Sequence, residues 1–153
     1  MRTAIVLAAA LLATVAVFAQ AKDPFLGTWL LDADHSKFAP GPAPEDRTVI
    51  FEEKNGGLHN LTKTPNLFLS TTDDIDYTAK FDGKDYPITG TGLDTVSLKR
   101  VDSHTIERTG KVHGKVSEMC TMTVSPDGKT LTIKIKGNYN GTDYSSEQVL
   151  HRQ

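Results

Sequence analysis

The segment Phe25-Leu26-Gly27-Thr28-Trp29-Leu30-Leu31 opens the first of ten candidate β-strands. Turn-forming residues separate these strands, and no segment shows a convincing helical period, although Asp34–Phe38 is expected to make a single turn. Many short strands of this kind predict a β-sandwich or a β-barrel. The predicted strands are Leu26–Ala33, Arg47–Glu53, Leu58–Thr64, Ile75–Phe81, Tyr86–Thr89, Thr95–Val101, Thr105–Thr109, Val116–Val124, Leu131–Lys136 and Ser145–His151.

Alternation of side chains indicates which face of each strand is apolar. Ile75, Tyr77, Ala79 and Phe81 share one side of their strand, and polar or charged residues separate them. A period of two is typical of a sheet with one dry face and one wet face. Because opposite residues of an antiparallel pair share a face, the pattern also predicts how neighbouring strands are aligned.

Three hairpins follow from this rule. We expect a four-residue turn at Pro126–Lys129, a two-residue turn at Asp82-Gly83 and a three-residue turn at Asp102–His104. Continued around, such a meander closes into a single antiparallel up-and-down barrel of about eight to ten strands. The proline-rich segment Ala39–Pro44 is expected to be an extended rim connection. The predicted opposite pairs are Val124 with Leu131, Met122 with Ile133, Cys120 with Ile135, Ala79 with Tyr86, Tyr77 with Ile88, Arg100 with Ile106 and Leu98 with Arg108.

The N-terminus matches a cleaved secretory signal. Met1-Arg2 precedes an apolar run from Ala4 to Ala19, which is short for a membrane span, and Ala19-Gln20-Ala21 is a small-x-small exit. Residues 1–21 are therefore predicted to be a signal peptide, with retention as a membrane anchor as the alternative. Residues 22–153 then form one barrel domain that is exported to the periplasm or the medium, with no integral membrane association after cleavage.

Charge and cysteine content exclude several classes of partner. Without Arg2, 16 of the 17 Lys and Arg residues remain against 19 Asp and Glu, with no basic stripe. Nucleic acid and anionic membranes are poor candidates for such a chain. Cys120 is the only cysteine, so a disulfide framework is excluded and a buried, inert thiol is expected.

The stretch Asp23–Leu31 resembles the opening of the lipocalins and their fatty-acid-binding relatives, the calycins. The resemblance implies that Gly27 and Trp29 lie at the closed end of the barrel, with a basic residue packed over the indole. Arg152, just past the predicted last strand, is the candidate for that residue. The stretch Tyr77–Asp102 also resembles small secreted bacterial lipocalin-like proteins, which have no established activity. The chain departs from the pattern in three places: the proline segment replaces a two-helix lid, the last strand lacks an Arg-x-Tyr pair, and no helix follows the barrel.

Three charged side chains fall on apolar faces. Arg100 and Arg108 are candidates to bind a ligand carboxylate, since a guanidinium in an apolar cup favours acids. Glu118 is instead a candidate to neutralise one arginine as an internal ion pair, and Arg100 could also escape to the rim. Tyr77, Phe81 and Tyr86 would line an internal pocket or fill the core.

No catalytic motif, cofactor motif or metal-binding spacing is present in the sequence, which indicates a non-enzymatic protein. The first hypothesis is a barrel, expected to be monomeric, that binds a small apolar or amphipathic ligand. The second is a filled barrel that acts as a protein-interaction or cell-envelope module, for which the apolar segment Leu67-Phe68-Leu69 is the feature of interest. An enzyme, the third, would have to rely on Arg100, Arg108 and Glu118.

Overall fold

The computed structural model describes residues 22–66, 71–72 and 74–153. The predicted signal peptide and the segment Leu67–Leu69 lie outside these residues. The described chain is all-β, and its strands are β1 Gly27–Ala39, β2 Thr48–Lys54, β3 Gly57–Lys63, β4 Pro65–Asn66, β5 Thr71–Thr72, β6 Ile75–Ala79, β7 Tyr86–Thr89, β8 Thr95–Asp102, β9 Thr105–Val112, β10 Lys115–Val124, β11 Thr130–Tyr139 and β12 Thr142–Arg152. A search of the same residues finds no helix with the length and apolar character needed to span a membrane.

Ten strands form a closed antiparallel barrel in the order β1-β12-β11-β10-β9-β8-β7-β6-β3-β2. Each of these ten strands therefore pairs with the barrel strands that precede and follow it in the chain, and β12 pairs with β1 to close the ring. The short strands β4 and β5 pair only with each other, in the connection between β3 and β6. The predicted up-and-down barrel is confirmed, and the proline segment falls in the connection between β1 and β2.

The predicted registers are confirmed in two hairpins. Strand β10 pairs with β11 through the three expected apolar pairs around Cys120, Met122 and Val124. Strands β8 and β9 pair Leu98 with Arg108 and Arg100 with Ile106 as expected. The predicted three-residue turn is wrong, because the register shifts after Arg100 and Asp102 pairs with Thr105, which leaves only Ser103 and His104 in the turn.

The β6–β7 hairpin has the predicted register, with Tyr77 opposite Ile88, but the predicted two-residue turn is wrong. Residues 80–85 lie between the strands, and Ala79 and Tyr86 do not form a ladder pair. The reason lies in Asp82, whose carboxylate accepts hydrogen bonds from the Lys84 N–H at 3.1 Å and the Tyr86 hydroxyl at 2.8 Å. An aspartate that binds the backbone two residues on favours a wider turn.

The predicted turn at Asp34–Phe38 is wrong, since β1 runs through it with an interruption. Residues 33–36 bulge between the ladder pairs that Asp32 and Lys37 make with β12. The Ser36 hydroxyl donates to the Asp32 carbonyl at 2.7 Å and accepts from the Val149 N–H at 2.9 Å. A side chain thus replaces the missing backbone partner, and the strand continues past the bulge.

A second bulge corrects the predicted facing of β10. The register shifts between Val116 and Glu118, so that these two residues no longer share a face. Val116 is 60% exposed, whereas Glu118 is only 7% exposed. An extra residue in one strand turns the side chains beyond it to the other face of the sheet.

We call the end of the barrel where β1 begins and β12 ends the lower end, and the opposite end the upper end. Trp29 is fully buried at the lower end, and its indole N–H donates to the Phe25 carbonyl at 2.9 Å. The Arg152 guanidinium lies 4.1 Å from the centroid of the Trp29 ring and donates to the carbonyls of Pro24 and Leu26 at 2.5 and 2.8 Å. The last strand therefore fastens the N-terminal segment across the lower end.

Gly27 is required by this arrangement. Its φ is +135°, and a Cβ atom there would lie 2.7 Å from Nη1 of Arg152. We expect Gly27→Ala to lower the free energy of unfolding by about 1–3 kcal/mol, because it strains the backbone and displaces the guanidinium. Urea denaturation followed by Trp29 fluorescence measures the change.

Gly41→Ala is the matched control for this prediction. Gly41 has a φ of +96°, but a Cβ atom there would contact nothing within 4 Å. The loss of stability in Gly41→Ala therefore measures the cost of backbone strain without any side-chain collision. Equal losses in the two variants would show that the contact with Arg152 contributes nothing.

Candidate functional site

The six side chains predicted to contact a ligand do not converge on one pocket. Tyr77, Arg108 and Glu118 come together in the upper half of the barrel interior. Phe81 and Arg100 meet at the lower end. Tyr86 lies on the β6–β7 hairpin, where its hydroxyl donates to Asp82 at 2.8 Å and the resulting hydrogen bond raises the pKa of the phenol.

At the lower end, Arg100 is already paired with a carboxylate. Its guanidinium contacts Asp23 at 2.5 Å and lies over the rings of Phe81 and Phe25, with centroid distances of 4.3 and 5.5 Å. A cavity of about 260 Å³ adjoins this pair. Because Asp23 already neutralises the guanidinium, a ligand carboxylate at this place would compete with Asp23 for it.

In the upper half, the adjacent strands β9 and β10 bring an ion pair together inside the barrel. Arg108 on β9 stands opposite Cys120, and Glu118 on β10 stands opposite Gly110 and Gly137. Nη2 of Arg108 donates to Oε1 of Glu118, and both residues are buried, with 9% and 7% of their surfaces exposed. The pair places two full charges in the barrel interior.

Tyr144, which the sequence analysis missed, completes this cluster. Its hydroxyl donates to Oε2 of Glu118 at 2.8 Å. Tyr144 stands opposite Gly137 on β11, and a Cβ atom on that glycine would collide with the phenol ring. The glycine thus makes room for the ring to lie across the sheet and reach Glu118. The sequence does contain a signal for this position. Tyr144 is an even number of residues from Ser146, Gln148 and Leu150, so it lies on the same face of the strand as they do.

Burial and charge shift the pKa values of the cluster in predictable directions. Burial disfavours the charged form of Arg108, but its anionic surroundings outweigh this effect, and the guanidinium keeps its proton with a raised pKa. Burial raises the pKa of the Tyr77 hydroxyl, and burial together with the Glu118 charge raises the pKa of the Tyr144 hydroxyl. Burial also raises the pKa of the Cys120 thiol to about 11, which fits an unreactive core residue.

Two buried polar groups of the cluster make no hydrogen bond of regular geometry within the described residues. These are the Tyr77 hydroxyl and the Nε–H of Arg108. Tyr77 is 2% exposed, and the centroid of its ring lies 5.7 Å from Cζ of Arg108. A buried donor without a partner costs about 1–3 kcal/mol, so such groups call for an explanation.

A cavity of about 270 Å³ lies at the upper end, next to the ion pair. Its lining residues are Thr91, Gly92, Leu93, Glu118, Tyr139 and Tyr144. Leu93, in the connection between β7 and β8, is buried and packs over Gly110, which leaves no room for a side chain there. Below this level the barrel is filled by large buried side chains that include Trp29, Tyr77, Phe51, Leu98, Ile106 and Leu131.

A separate groove of about 420 Å³ lies against the wall formed by β10, β11, β12 and the end of β1. Met119, which is 52% exposed, lines it together with Phe38 and Ile135. Three lysines also line the groove, and one of them, Lys134, is 3.4 Å from Glu147. The groove therefore combines apolar and cationic surface.

Two histidines flank one carboxylate on the surface. Nδ1 of His35 lies 2.9 Å from Asp32, and Nε2 of His151 lies 3.1 Å from the same group. The hydrogen bond from His35 lowers the pKa of Asp32 to about 2, and the carboxylate raises the pKa of His35 above 6.5. A search of residues 22–66, 71–72 and 74–153 finds no group of three or more His, Cys, Asp or Glu side chains arranged to hold a metal ion.

This contact predicts a specific pH dependence. His35 has a raised pKa, so its contribution to stability is complete below pH 6.5 and is lost as the pH rises through the folded-state value. Asp32 has a lowered pKa, so its contribution is complete above pH 3.8 and is lost towards pH 2. Asp32→Asn should therefore lower the titration midpoint of His35, as measured by NMR, whereas Asp34→Asn should change it much less. Equal shifts in both variants would contradict the assignment.

Comparisons with known proteins add no family to this description. The sequence matches no protein-family model. A search of curated proteins finds no match either.

Proposed function

We propose that this protein is an exported, lipocalin-like barrel that works as a monomer, without catalysis, and binds a small amphipathic molecule at its upper end. The observation that carries the proposal is the buried cluster of Tyr77, Arg108, Glu118 and Tyr144 beside a cavity of about 270 Å³. Ligand sites are typically apolar concavities with a few converging polar groups. The closed ten-stranded barrel supports the resemblance to the calycins.

The filled lower half limits the size of the ligand. Trp29, Phe51 and Leu58 are almost completely buried there, and a long acyl chain could enter only by displacing them. Interiors of small barrels are either filled by side chains or hold one small ligand. The proposed ligand therefore occupies the upper end and does not run along the barrel axis.

The proposal is tested with the exported chain purified without detergent. Native mass spectrometry reports any retained small molecule, and titration of ¹⁵N-labelled protein with 1-octanol reports binding through amide shifts. We expect saturable shifts at Leu93, Glu118 and Tyr144. Neither a retained molecule nor saturable shifts at the upper end would contradict the proposal.

A matched pair of variants localises the site. Leu93→Trp should fill the cavity and abolish the octanol-induced shifts, because Leu93 lines it. Leu30→Trp adds the same indole on the outer wall, where Leu30 is 40% exposed, and should leave binding unchanged. Loss of binding in both variants would place the site elsewhere.

The groove at Met119 supports a second candidate function, that of a filled barrel acting as a protein-interaction or cell-envelope module. Exposed apolar surface is typical of docking sites, and Met119, which lines the groove, is 52% exposed. Met119→Glu should then abolish association with a partner isolated from the native envelope while leaving octanol binding intact. Loss of octanol binding with partner association retained would contradict this assignment.

A further inference from the structure

We propose that the groove at Met119 binds a short, extended and acidic segment of a partner protein, and that Lys37 and Lys136 bind its carboxylates. The inference rests on the second candidate function and names the chemistry of the partner. It does not depend on the ligand site at the upper end.

The strand registers place the side chains of the groove in two rows on the outer wall. The end of β1 and the strands β12, β11 and β10 are consecutive in the barrel. Both rows are exposed and line the groove. One row runs from Met119 through Lys136 to Ala39, and the next runs from Thr121 through Lys134 to Lys37.

The charge of the groove indicates an acidic occupant. Three lysines and one glutamate line it, which leaves an excess of two positive charges, although the whole chain has a formal net charge of −2. Lys134 is 3.4 Å from Glu147, whereas Lys37 and Lys136 form no salt bridge with a carboxylate of the described residues. These two ammonium groups are therefore available to a partner, and complementary charge favours a partner that presents carboxylates.

The closed barrel determines how such a partner binds. Every barrel strand already has a neighbour on both sides, so a partner cannot extend this sheet by pairing its backbone at a free edge. It must instead bind through side chains on the outer wall. Neighbouring strands are about 4.8 Å apart, so the four strands of the groove span about 14 Å, which is the length of about four residues of extended chain.

The apolar part of the groove lies beside its free charges. Met119 begins one row and is 52% exposed, and Lys136 is its ladder partner on the next strand. A methionine side chain is flexible and polarisable, so it adapts to apolar groups of different shapes. A segment with one apolar side chain over Met119 and carboxylates towards Lys136 and Lys37 matches this arrangement.

The test uses three peptides of about nine residues, which is long enough to cross the groove. They share a leucine-containing sequence with blocked ends and carry glutamate, glutamine or lysine at the same positions. Each is titrated into the ¹⁵N-labelled protein at pH 7. We expect the glutamate peptide to give saturable shifts at Met119, Lys136 and Ser145 and to bind at least fivefold more tightly than the other two. Added sodium chloride should weaken this binding, because dissolved ions screen exposed charges.

Three lysine variants test the role of the groove. Lys136→Glu should weaken binding of the glutamate peptide at least fivefold, and Lys136→Arg should retain it because arginine keeps the positive charge. Lys80→Glu makes the same charge change at an exposed lysine between β6 and β7, away from the groove, and should leave binding unchanged. Equal losses in Lys136→Glu and Lys80→Glu would overturn the role of the groove lysines.

The outcomes distinguish the inference from the function on which it rests. Tighter binding of the glutamine or lysine peptide in the groove would overturn the acidic partner and leave a docking site in place. Absence of saturable shifts in the groove with all three peptides would overturn both, and octanol binding at the upper end is measured separately. A dimer that forms through the groove, detected by analytical ultracentrifugation and amide shifts, would overturn the inference and identify a second copy of this chain as the occupant.

Discussion

Glu118→Ala is expected to lower the free energy of unfolding by about 3–5 kcal/mol, since it leaves the guanidinium of Arg108 charged and unpaired in the interior. Arg108 cannot escape the cost by losing its proton, because an arginine side chain holds its proton far above neutral pH. The variant also leaves the Tyr144 hydroxyl without its acceptor. A loss of this size is a large part of the total stability of a domain, which is about 5–15 kcal/mol.

A double-mutant cycle isolates the ion pair. Arg108→Met alone should also be strongly destabilising, because Glu118 then lacks its cation. The double variant Arg108→Met with Glu118→Leu should be much closer to wild type, since apolar residues of similar size often replace a buried pair at little cost. Urea denaturation followed by Trp29 fluorescence gives the three values. Losses that simply add in the double variant would show that the two charges do not interact.

Trp29→Ala is expected to cost about 3–5 kcal/mol through the cavity that it leaves at the lower end. The indole is fully buried, donates to the Phe25 carbonyl and lies under the Arg152 guanidinium. Removing the ring therefore removes core volume and the support on which Arg152 rests. Far-UV circular dichroism during denaturation measures the loss, because the variant has no tryptophan fluorescence.

Two controls define what Trp29 contributes. Trp29→Phe keeps an aromatic ring beneath Arg152 but loses the indole N–H, and it should cost less than Trp29→Ala. Val101→Ala shortens an apolar side chain that is half exposed and should change stability little. A loss in Trp29→Ala no larger than that in Val101→Ala would show that the lower end does not depend on the indole.

The fold could be predicted from the sequence because side-chain alternation and turn chemistry agree with each other along most of the chain. The β10–β11 hairpin is the clearest case, since the turn at Pro126–Lys129 and the apolar face of both strands require the same register. The two bulges could not be predicted in this way. They depend on contacts with distant strands, such as the bond between the Ser36 hydroxyl and the Val149 N–H.

The candidate site was predictable only in part. Side-chain alternation places Arg108 and Glu118 on inward faces, which allows them to form an internal ion pair. Side-chain alternation alone does not show that Arg100 lies apart from these two residues. Arg100 stands near a strand end, and its partner, Asp23, precedes the first strand. Tyr144 was missed because the last strand begins three residues earlier than its apolar alternation indicates.

The seam between β1 and β12 has a consequence for how the chain acquires its structure. The first and last strands of the barrel hydrogen-bond to each other, and Arg152 binds the segment just before β1. These contacts join residues more than a hundred positions apart, and topologies dominated by such contacts fold slowly. The ring therefore cannot close before β12 has been synthesised and has left the ribosome.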